Sequence, residues 1–113
     1  MFVVRDVVFY GTDITEFYES QDEKVRLKIG YVLELVRNEP RVPIKFFKKL
    51  VSTEDIYEVR VITSQKSIRM LCFIENGNLV VLTNAFVKKT QKTPKKEIKL
   101  AEKLKKQYLD EKK

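Results

Sequence analysis

The sequence contains no histidine and no tryptophan, and it has one cysteine among 113 residues. The absence of histidine excludes histidine-based zinc sites, Ser-His-Asp triads and ribonuclease chemistry that depends on a pair of histidines. The lone cysteine, Cys72, has no partner for an intrachain disulfide, which indicates a reducing, cytoplasmic setting. Because no histidine is present to activate its thiol, we expect Cys72 to be a core residue rather than a nucleophile.

Glycine is also scarce, with three residues, and neither familiar glycine-rich phosphate loop is present. No apolar run approaches the length of a membrane-spanning helix, and the opening residues 1–5 indicate the start of a strand rather than a signal peptide. The content of 43% hydrophobic and 35% charged residues is typical of a folded, soluble protein. At this length we expect residues 1–113 to form a single domain.

Positive charge is concentrated at one end of the sequence. Residues 1–87 contain 12 Lys+Arg and 12 Asp+Glu, whereas residues 88–113 contain 11 lysines and 4 acidic residues, which accounts for the whole net charge of +7. Five of these lysines lie close together: Lys88, Lys89, Lys92, Lys95 and Lys96. Such a block attracts polyanions, with phosphate backbones as the leading candidates. On charge alone, a solvated helix that serves solubility is an equally good interpretation.

The patterning predicts an α+β fold with the element order β-α-α-β-β-β-α, in which helices pack on a small, mainly antiparallel sheet. The predicted strands are rich in β-branched and aromatic residues and cover residues 2–10, 56–62, 68–75 and 79–86. Asn76-Gly77 joins the last two strands and is typical of a type I′ hairpin turn. Residues 39–55 are predicted to be irregular.

Three helices are predicted from capping patterns and from apolar spacing. Asp13 and Ser20 each precede a glutamate by three residues, a pattern that marks two consecutive helices, and Pro40 ends the second one. The last helix is expected to have Thr93 as its cap and Pro94 in its first turn. Its apolar stripe consists of Ile98, Ala101, Leu104 and Tyr108.

The predicted strands 68–74 and 79–86 are apolar on both alternating sets of side chains, which indicates that both faces of the sheet are covered. The first two helices can cover one face. The other face requires either the C-terminal helix or a partner protein, and we expect a partner.

Two arginines interrupt predicted strands, Arg60 in the strand at 56–62 and Arg69 in the strand at 68–75. A sheet interior tolerates Arg60 and Arg69 only if each guanidinium is paired or binds an anion. By patterning alone, a salt bridge from Arg60 to Glu58 on the same strand face is slightly favoured. The alternative is a cationic site in which four lysines join the arginines: Lys48, Lys49, Lys88 and Lys89. Such a site suits stabilisation of a phosphorane and passive phosphate binding equally well.

Four segments together resemble the RelE/ParE superfamily of toxins and, more narrowly, the phage-derived, HigB-like branch of type II toxin–antitoxin systems. They are K-K-L at 48–50, Y-E-V-R at 57–60, I-R-M-L at 68–71 and F-V-K-K-T-Q-K-T-P-K-K-E-I-K-L-A at 86–101. The resemblance covers nearly the whole chain and implies a RelE-like fold. It further implies a ribosome-dependent mRNA endoribonuclease that promotes attack of a ribose 2′-OH on the adjacent phosphate, without metal or cofactor.

The resemblance also implies roles for individual residues. Arg60 and Arg69 would bind and polarise the scissile phosphate. Lys49, with Lys88 or Lys89, would stabilise charge in the transition state or protonate the leaving oxygen. Four other lysines would hold RNA through its backbone: Lys48, Lys92, Lys95 and Lys96.

The general base is not assigned by the resemblance. Glu58 and Tyr57 are the candidates, and Glu58 is the better placed because it shares a strand face with Arg60. A carboxylate beside an arginine has a lowered pKa, however, and is therefore a weak base.

The implied partners are a cognate antitoxin of the helix-turn-helix type, the ribosome and mRNA, and the resemblance implies no membrane. Two other functions stay open: ParE-like inhibition of DNA gyrase on the same fold, and a non-catalytic RNA-binding module. The strand arginines and the lysine pairs favour RNA cleavage, because a gyrase inhibitor would not need them.

Overall fold

The computed structural model describes residues 3–112, which form a mixed α+β fold of one sheet and three helices. The strands are β1 (Asp6–Phe9), β2 (Phe47–Lys49), β3 (Tyr57–Ile62), β4 (Ser67–Glu75) and β5 (Leu79–Val87). The helices are α1 (Thr12–Ser20), α2 (Glu23–Asn38) and α3 (Lys95–Glu111). Both α1 and α2 follow β1, and α3 ends the chain, as the patterning predicts.

The sheet has the strand order β1-β5-β4-β3-β2. β1 lies parallel to β5, and the other neighbouring pairs are antiparallel, which confirms a mainly antiparallel sheet. β2 corrects the prediction that residues 39–55 are irregular. Its three residues are too few to show an alternating pattern, and the strand exists because it pairs with β3.

β1 is shorter than the strand predicted at residues 2–10, of which Phe2 lies outside the described residues. Arg5 precedes β1 and reaches the carboxyl end of α2 instead of extending the strand. Its Nη1 donates hydrogen bonds to the carbonyl oxygens of Val36 and Glu39, both at 2.9 Å. Neither carbonyl accepts a hydrogen bond from the backbone of the helix. The guanidinium therefore satisfies both carbonyls, and its positive charge complements the helix dipole.

The helix starts differ from the capping-box prediction. α1 begins after Gly11, and Asp13 lies inside its first turn. α2 is capped by Asp22, whose carboxylate accepts a hydrogen bond from the backbone N–H of Val25 at 2.9 Å. Ser20 ends α1 instead of capping α2. Several capping residues stand close together here, and the sequence alone does not choose among them.

The hairpin turn at Asn76-Gly77 is confirmed. Both residues have positive φ angles, 53° and 76°, and the N–H of Asn78 donates to the carbonyl of Glu75 at 3.2 Å. Those are the features of a type I′ turn, and glycine takes the second left-handed position without strain.

α1 and α2 cover one face of the sheet. Alternate strand residues such as Val59, Met70 and Cys72 pack there with Ile29 and Val32 of α2. Cys72 is fully buried, and burial raises the pKa of its thiol, so Cys72 is a core residue as predicted.

The opposite face, which we call the α3 face, is only half covered. Leu71, Phe73 and Val81 are buried under α3, where they pack with Ala101 and Tyr108. The chain's own helices therefore bury most of the apolar residues of β4 and β5. On this half of the α3 face the cover is the C-terminal helix, which the sequence offered as the alternative to a partner. The other half of the α3 face lies beyond the start of α3 and carries charged side chains.

Candidate functional site

Strands β3, β4 and β5 place three cations side by side on the uncovered half of the α3 face. Arg60 and Arg69 are register partners on neighbouring strands. Lys88 directly follows β5, and its backbone N–H donates to the carbonyl of Ser67 at 2.7 Å. Alternate residues of a strand share a face, which brings these side chains together. We call Glu58, Arg60, Arg69 and Lys88 the cationic cluster.

Glu58 lies at the centre of the cationic cluster and is 1% exposed. Its Oε1 accepts a hydrogen bond from Arg60 Nε at 2.8 Å and lies 3.5 Å from Arg69 Nε. Its Oε2 accepts a hydrogen bond from Thr93 Oγ1 at 3.0 Å. The salt bridge expected between Arg60 and Glu58 is therefore present. The carboxylate offsets part of the positive charge that the strands bring together.

Arg69 is 8% exposed, and its guanidinium is incompletely bonded. Nη1 donates to Ser67 Oγ at 2.7 Å. Nε is buried without a hydrogen bond, because its 3.5 Å contact with Glu58 is too long for a good one. Burial lowers the pKa of Arg69, Glu58 acts in the opposite direction, and Arg60 lowers it further. An anion outside the sheet cannot reach the buried Nε, so the terminal nitrogens of the guanidinium are the donors that it could use.

The pKa of Lys88 is also lowered. Partial burial is the main cause, and repulsion from Arg69, Arg60 and Lys48 adds to it, while Glu58 acts in the opposite direction. Cations held this close repel one another, so the binding of an anion lowers the electrostatic free energy of the cationic cluster. A lowered pKa also makes Lys88 a better participant in proton transfer than an ordinary lysine.

An open cleft of about 460 Å³ borders the cationic cluster. We call it the arginine cleft. Its lining consists of Ser67, Arg69, Lys88, Lys89, Thr90 and Gln91. The planar guanidinium and the two ammonium groups are donors suited to the oxygens of a phosphodiester.

The structure separates the two lysines of β2. Lys48 is the register partner of Glu58 and lies on the α3 face, close enough to Lys88 to affect its pKa. Lys49 is the register partner of Tyr57, and its Nζ forms an ion pair with Asp55 at 2.9 Å. Consecutive strand residues point to opposite faces, so the structure does not bring Lys49 to the cationic cluster.

The lysines that follow β5 are spread along the chain rather than gathered at one point. Lys89 is exposed and lines the arginine cleft. Lys92 and Lys95 line a second groove beside α3. Lys96 is exposed in the first turn of α3, outside the linings of both depressions.

Residues 16–106 match the family model described as phage-derived protein Gp49-like (DUF891). The chain belongs to the Gp49-like family. The matched segment includes the whole cationic cluster and the lysines on both sides of it. No curated protein matches the chain.

In this Gp49-like protein, neither candidate for the general base is accessible from the arginine cleft. Glu58 is enclosed by Arg60, Arg69 and Thr93. Tyr57 lies on the opposite face of the sheet, stacked on Phe47 with ring centroids 5.2 Å apart. The geometry therefore favours Glu58 as a residue that positions the arginines, and it does not favour Tyr57 in any role at this site.

The roles of two hydroxyl groups at the site were not identified from the sequence. Thr93 is predicted as the cap of α3, but Pro94 occupies that position and Thr93 holds Glu58 instead. Ser67 bonds Arg69 from two positions earlier in β4, and this spacing on one strand face is a signal that the sequence does contain. No local signal connects Thr93 with Glu58, which is 35 residues away in the chain.

Among residues 3–112, no group of three Asp, Glu or Cys side chains is arranged to hold a metal ion. None of the helices in that range is long and apolar enough to cross a membrane.

Proposed function

We propose that this Gp49-like protein is the toxin of a HigB-like type II toxin–antitoxin system, and that it inhibits translation by cutting mRNA on the ribosome. The observation that carries the proposal is the cationic cluster, in which a buried Glu58 forms ion pairs with Arg60 and Arg69. Arg69 and Lys88 line an open cleft, and Arg60 lies beside Arg69 outside its lining. Membership in the Gp49-like family, a RelE-like toxin family, supports the same conclusion.

The proposed reaction is an attack within the RNA strand. The ribose 2′-oxygen attacks the adjacent phosphorus, the bond from phosphorus to the 5′-oxygen breaks, and the products carry a 2′,3′-cyclic phosphate and a 5′-hydroxyl. Arg60 and Arg69 bind the non-bridging oxygens and stabilise the additional negative charge of the phosphorane. Lys88 donates a proton to the departing 5′-oxygen, and no metal or cofactor takes part.

The ribosome supplies the parts of the site that this chain lacks. The proton of the 2′-hydroxyl passes to water or to an RNA group of the ribosomal A site, since Glu58 and Tyr57 do not reach the arginine cleft. The ribosome also holds the codon in position, which lowers the entropic cost of the attack. The lysines beyond β5 bind RNA through its phosphates, and this binding weakens steeply with salt.

A cognate antitoxin of the helix-turn-helix type would inhibit the toxin by covering the cationic cluster or an exposed apolar surface. The antitoxin would carry an acidic surface that neutralises the three adjacent cations.

Primer extension on a defined message in purified ribosomes tests the proposal. Wild-type protein is expected to produce discrete cuts at A-site codons, and Arg69→Ala is expected to reduce the cleavage rate by about 10²- to 10³-fold, as for removal of one donor from an oxyanion site. Arg37→Ala is the matched control. Arg37 lies on α2 and pairs with Glu34, away from the α3 face, so its removal should leave cleavage unchanged.

Three results would contradict the proposal. Equal cleavage by wild type and a folded Arg69→Ala variant would remove Arg69 from the site. Intact message in the presence of a protein that still stops growth would point to DNA gyrase, which a supercoiling assay would then examine. Intact message, no toxicity and salt-sensitive RNA binding would leave a non-catalytic RNA-binding module.

A further inference from the structure

A second groove, of about 710 Å³, lies between the turn at residues 51–53 and the start of α3. We call it the side groove. The side groove is not part of the cationic cluster, and the resemblance assigns no role to the turn that forms one of its walls.

Hydrogen bonds of Glu54, the residue that follows this turn, fasten it to α3. The backbone N–H of Glu54 donates to Glu102 Oε2 at 2.9 Å, and Lys105 Nζ donates to the carbonyl of Glu54 at 2.7 Å. Within the turn, Thr53 Oγ1 donates to the carbonyl of Leu50 at 2.9 Å. The walls of the side groove are therefore formed before any ligand arrives, which lowers the entropic cost of binding.

The lining of the side groove combines an apolar surface with cations. Val51, which is 85% exposed, faces the groove together with Pro94 and Ile98. Three lysines also belong to the lining: Lys92, Lys95 and Lys99. Its one acidic residue, Glu102, is bonded to the turn. Proteins bind single-stranded nucleic acid by combining a cationic groove with side chains that contact the faces of the bases, and in the side groove aliphatic residues take the place of the usual aromatic ones.

The side groove adjoins the arginine cleft through one shared residue. Thr90 lines both of them, and its hydroxyl donates to the carbonyl of Lys92 at 2.9 Å, which holds the connecting segment. Thr93 lines the side groove and also bonds the buried Glu58. A strand with one phosphate in the arginine cleft could therefore place its next nucleotide in the side groove.

We propose that the side groove binds the nucleobase adjacent to the phosphodiester that the arginine cleft holds, while Lys92, Lys95 and Lys99 contact the neighbouring phosphates. The inference rests on the proposed function and adds a base-binding subsite to it. Because contact with the base is apolar, the subsite accepts single-stranded RNA with little sequence preference and excludes a paired base, whose faces are stacked.

Site-specific photo-crosslinking on programmed ribosomes tests this subsite. The photoreactive amino acid p-benzoylphenylalanine replaces Val51 in one protein and, as the matched control, Leu27 in another. Leu27 is 67% exposed and lies on α2, on the other side of the sheet. The crosslink from position 51 is expected at the nucleotide next to the cut, and position 27 is expected to give none. In parallel, Val51→Glu is expected to lower cleavage about tenfold through its repulsion of RNA, whereas Leu27→Glu should not.

The outcomes separate the subsite from the ribonuclease proposal. Cleavage with the expected crosslink from position 51 supports both. Where cleavage occurs, any of four results overturns the subsite alone. These are no crosslink from position 51, equal crosslinks from both positions, a crosslink to protein in place of the message, and full activity of Val51→Glu. A crosslink to intact message retains the subsite and contradicts cleavage. The absence of both cleavage and crosslinking overturns the subsite and the ribonuclease proposal together.

Discussion

The two halves of the α3 face are built from the same strands and differ completely in character. In β4, Leu71 and Phe73 are buried under α3, whereas Arg69, two residues earlier on the same face, borders an open cleft. The change occurs because α3 begins only at Lys95 and extends over one half of the sheet. A single helix start thus separates an apolar core from a charged site.

Polar contacts hold the start of α3 at this boundary. Asn84 is buried in β5, and its Nδ2 donates to the backbone carbonyl and to Oε1 of Glu97, both at 3.1 Å. Thr93, just before the helix, bonds Glu58 at 3.0 Å. The same short segment therefore ends the covered half and orders the cationic cluster. The comparison implies that stability resides mainly in one half and the proposed chemistry in the other.

Phe73→Ala should have the largest effect on stability. Phe73 is 1% exposed and contacts Tyr108 edge-on, with ring centroids 5.4 Å apart. Removing the ring leaves a cavity under α3, and the free energy of unfolding should fall by about 3–5 kcal/mol. Urea denaturation measures this loss. Cleavage per folded molecule, measured at low temperature, should stay at the wild-type level.

Phe73→Leu serves as the matched control and should cost less than about 1.5 kcal/mol because most of the volume is kept. If Phe73→Ala abolished cleavage while most of the protein was still folded, the covered half would take part in chemistry and the division between the halves would fail.

Glu58→Gln should have the next largest effect, and it should alter both properties. The substitution keeps the shape of the side chain but leaves Arg60 and Arg69 without their counter-charge. We expect a loss of about 2 kcal/mol, less than for a fully buried pair because the side chain of Arg60 is 22% exposed to water. Displacement of the arginines should lower cleavage by about 10- to 100-fold.

The pH dependence of cleavage distinguishes positioning by Glu58 from general-base catalysis. A positioning role predicts a lower rate with an unchanged acidic limb of the pH–rate profile, whereas loss of that limb would make Glu58 the base. Glu75→Gln is the control in the covered half, where Glu75 accepts from Tyr108 Oη at 2.8 Å. It should cost about 1 kcal/mol and leave cleavage unchanged.

The sequence predicts the parts of this arrangement that local patterns determine. The alternating apolar residues of β4 and β5 and the Asn76-Gly77 turn are recognisable, as are Arg60 and Arg69, because a charge within an apolar strand stands out. Which half of the face α3 covers depends on contacts between distant residues, such as those of Asn84 with Glu97. No spacing in the sequence reports them.

The same limit explains the errors at the candidate site. β2 is created by pairing with β3, so the alternation that separates Lys48 from Lys49 could not be inferred before that strand was known. Thr93 carries a helix-capping pattern, and only the folded chain shows that its hydroxyl donates a hydrogen bond to Glu58 instead. Local preference was overridden by a tertiary hydrogen bond in one case and by strand pairing in the other.

Lys88→Gln should have the smallest effect on stability, and of the opposite sign. The pKa of Lys88 is lowered by burial and by repulsion from Arg69, Arg60 and Lys48, so at neutral pH the folded state bears a cost that the unfolded chain does not. Removing the charge should raise the free energy of unfolding by less than about 0.5 kcal/mol, because solvent screens a side chain that is only partly buried, while it impairs cleavage. Lys24→Gln, at an exposed position of α2, should change neither.

The pH dependence of the stability difference between Lys88→Gln and wild type provides a second measurement. A lysine whose pKa is lower in the folded state destabilises the protein below that pKa, and the cost disappears as the pH rises toward the pKa of the unfolded chain. The stability difference between Lys88→Gln and wild type should therefore shrink as the pH is raised from 7 through the lowered pKa of Lys88. A difference that grew with pH, or a variant less stable than wild type at neutral pH, would mean that Lys88 stabilises the fold. The uncovered half would then hold the structure together, and the cations would not have to be explained by an anion that they bind.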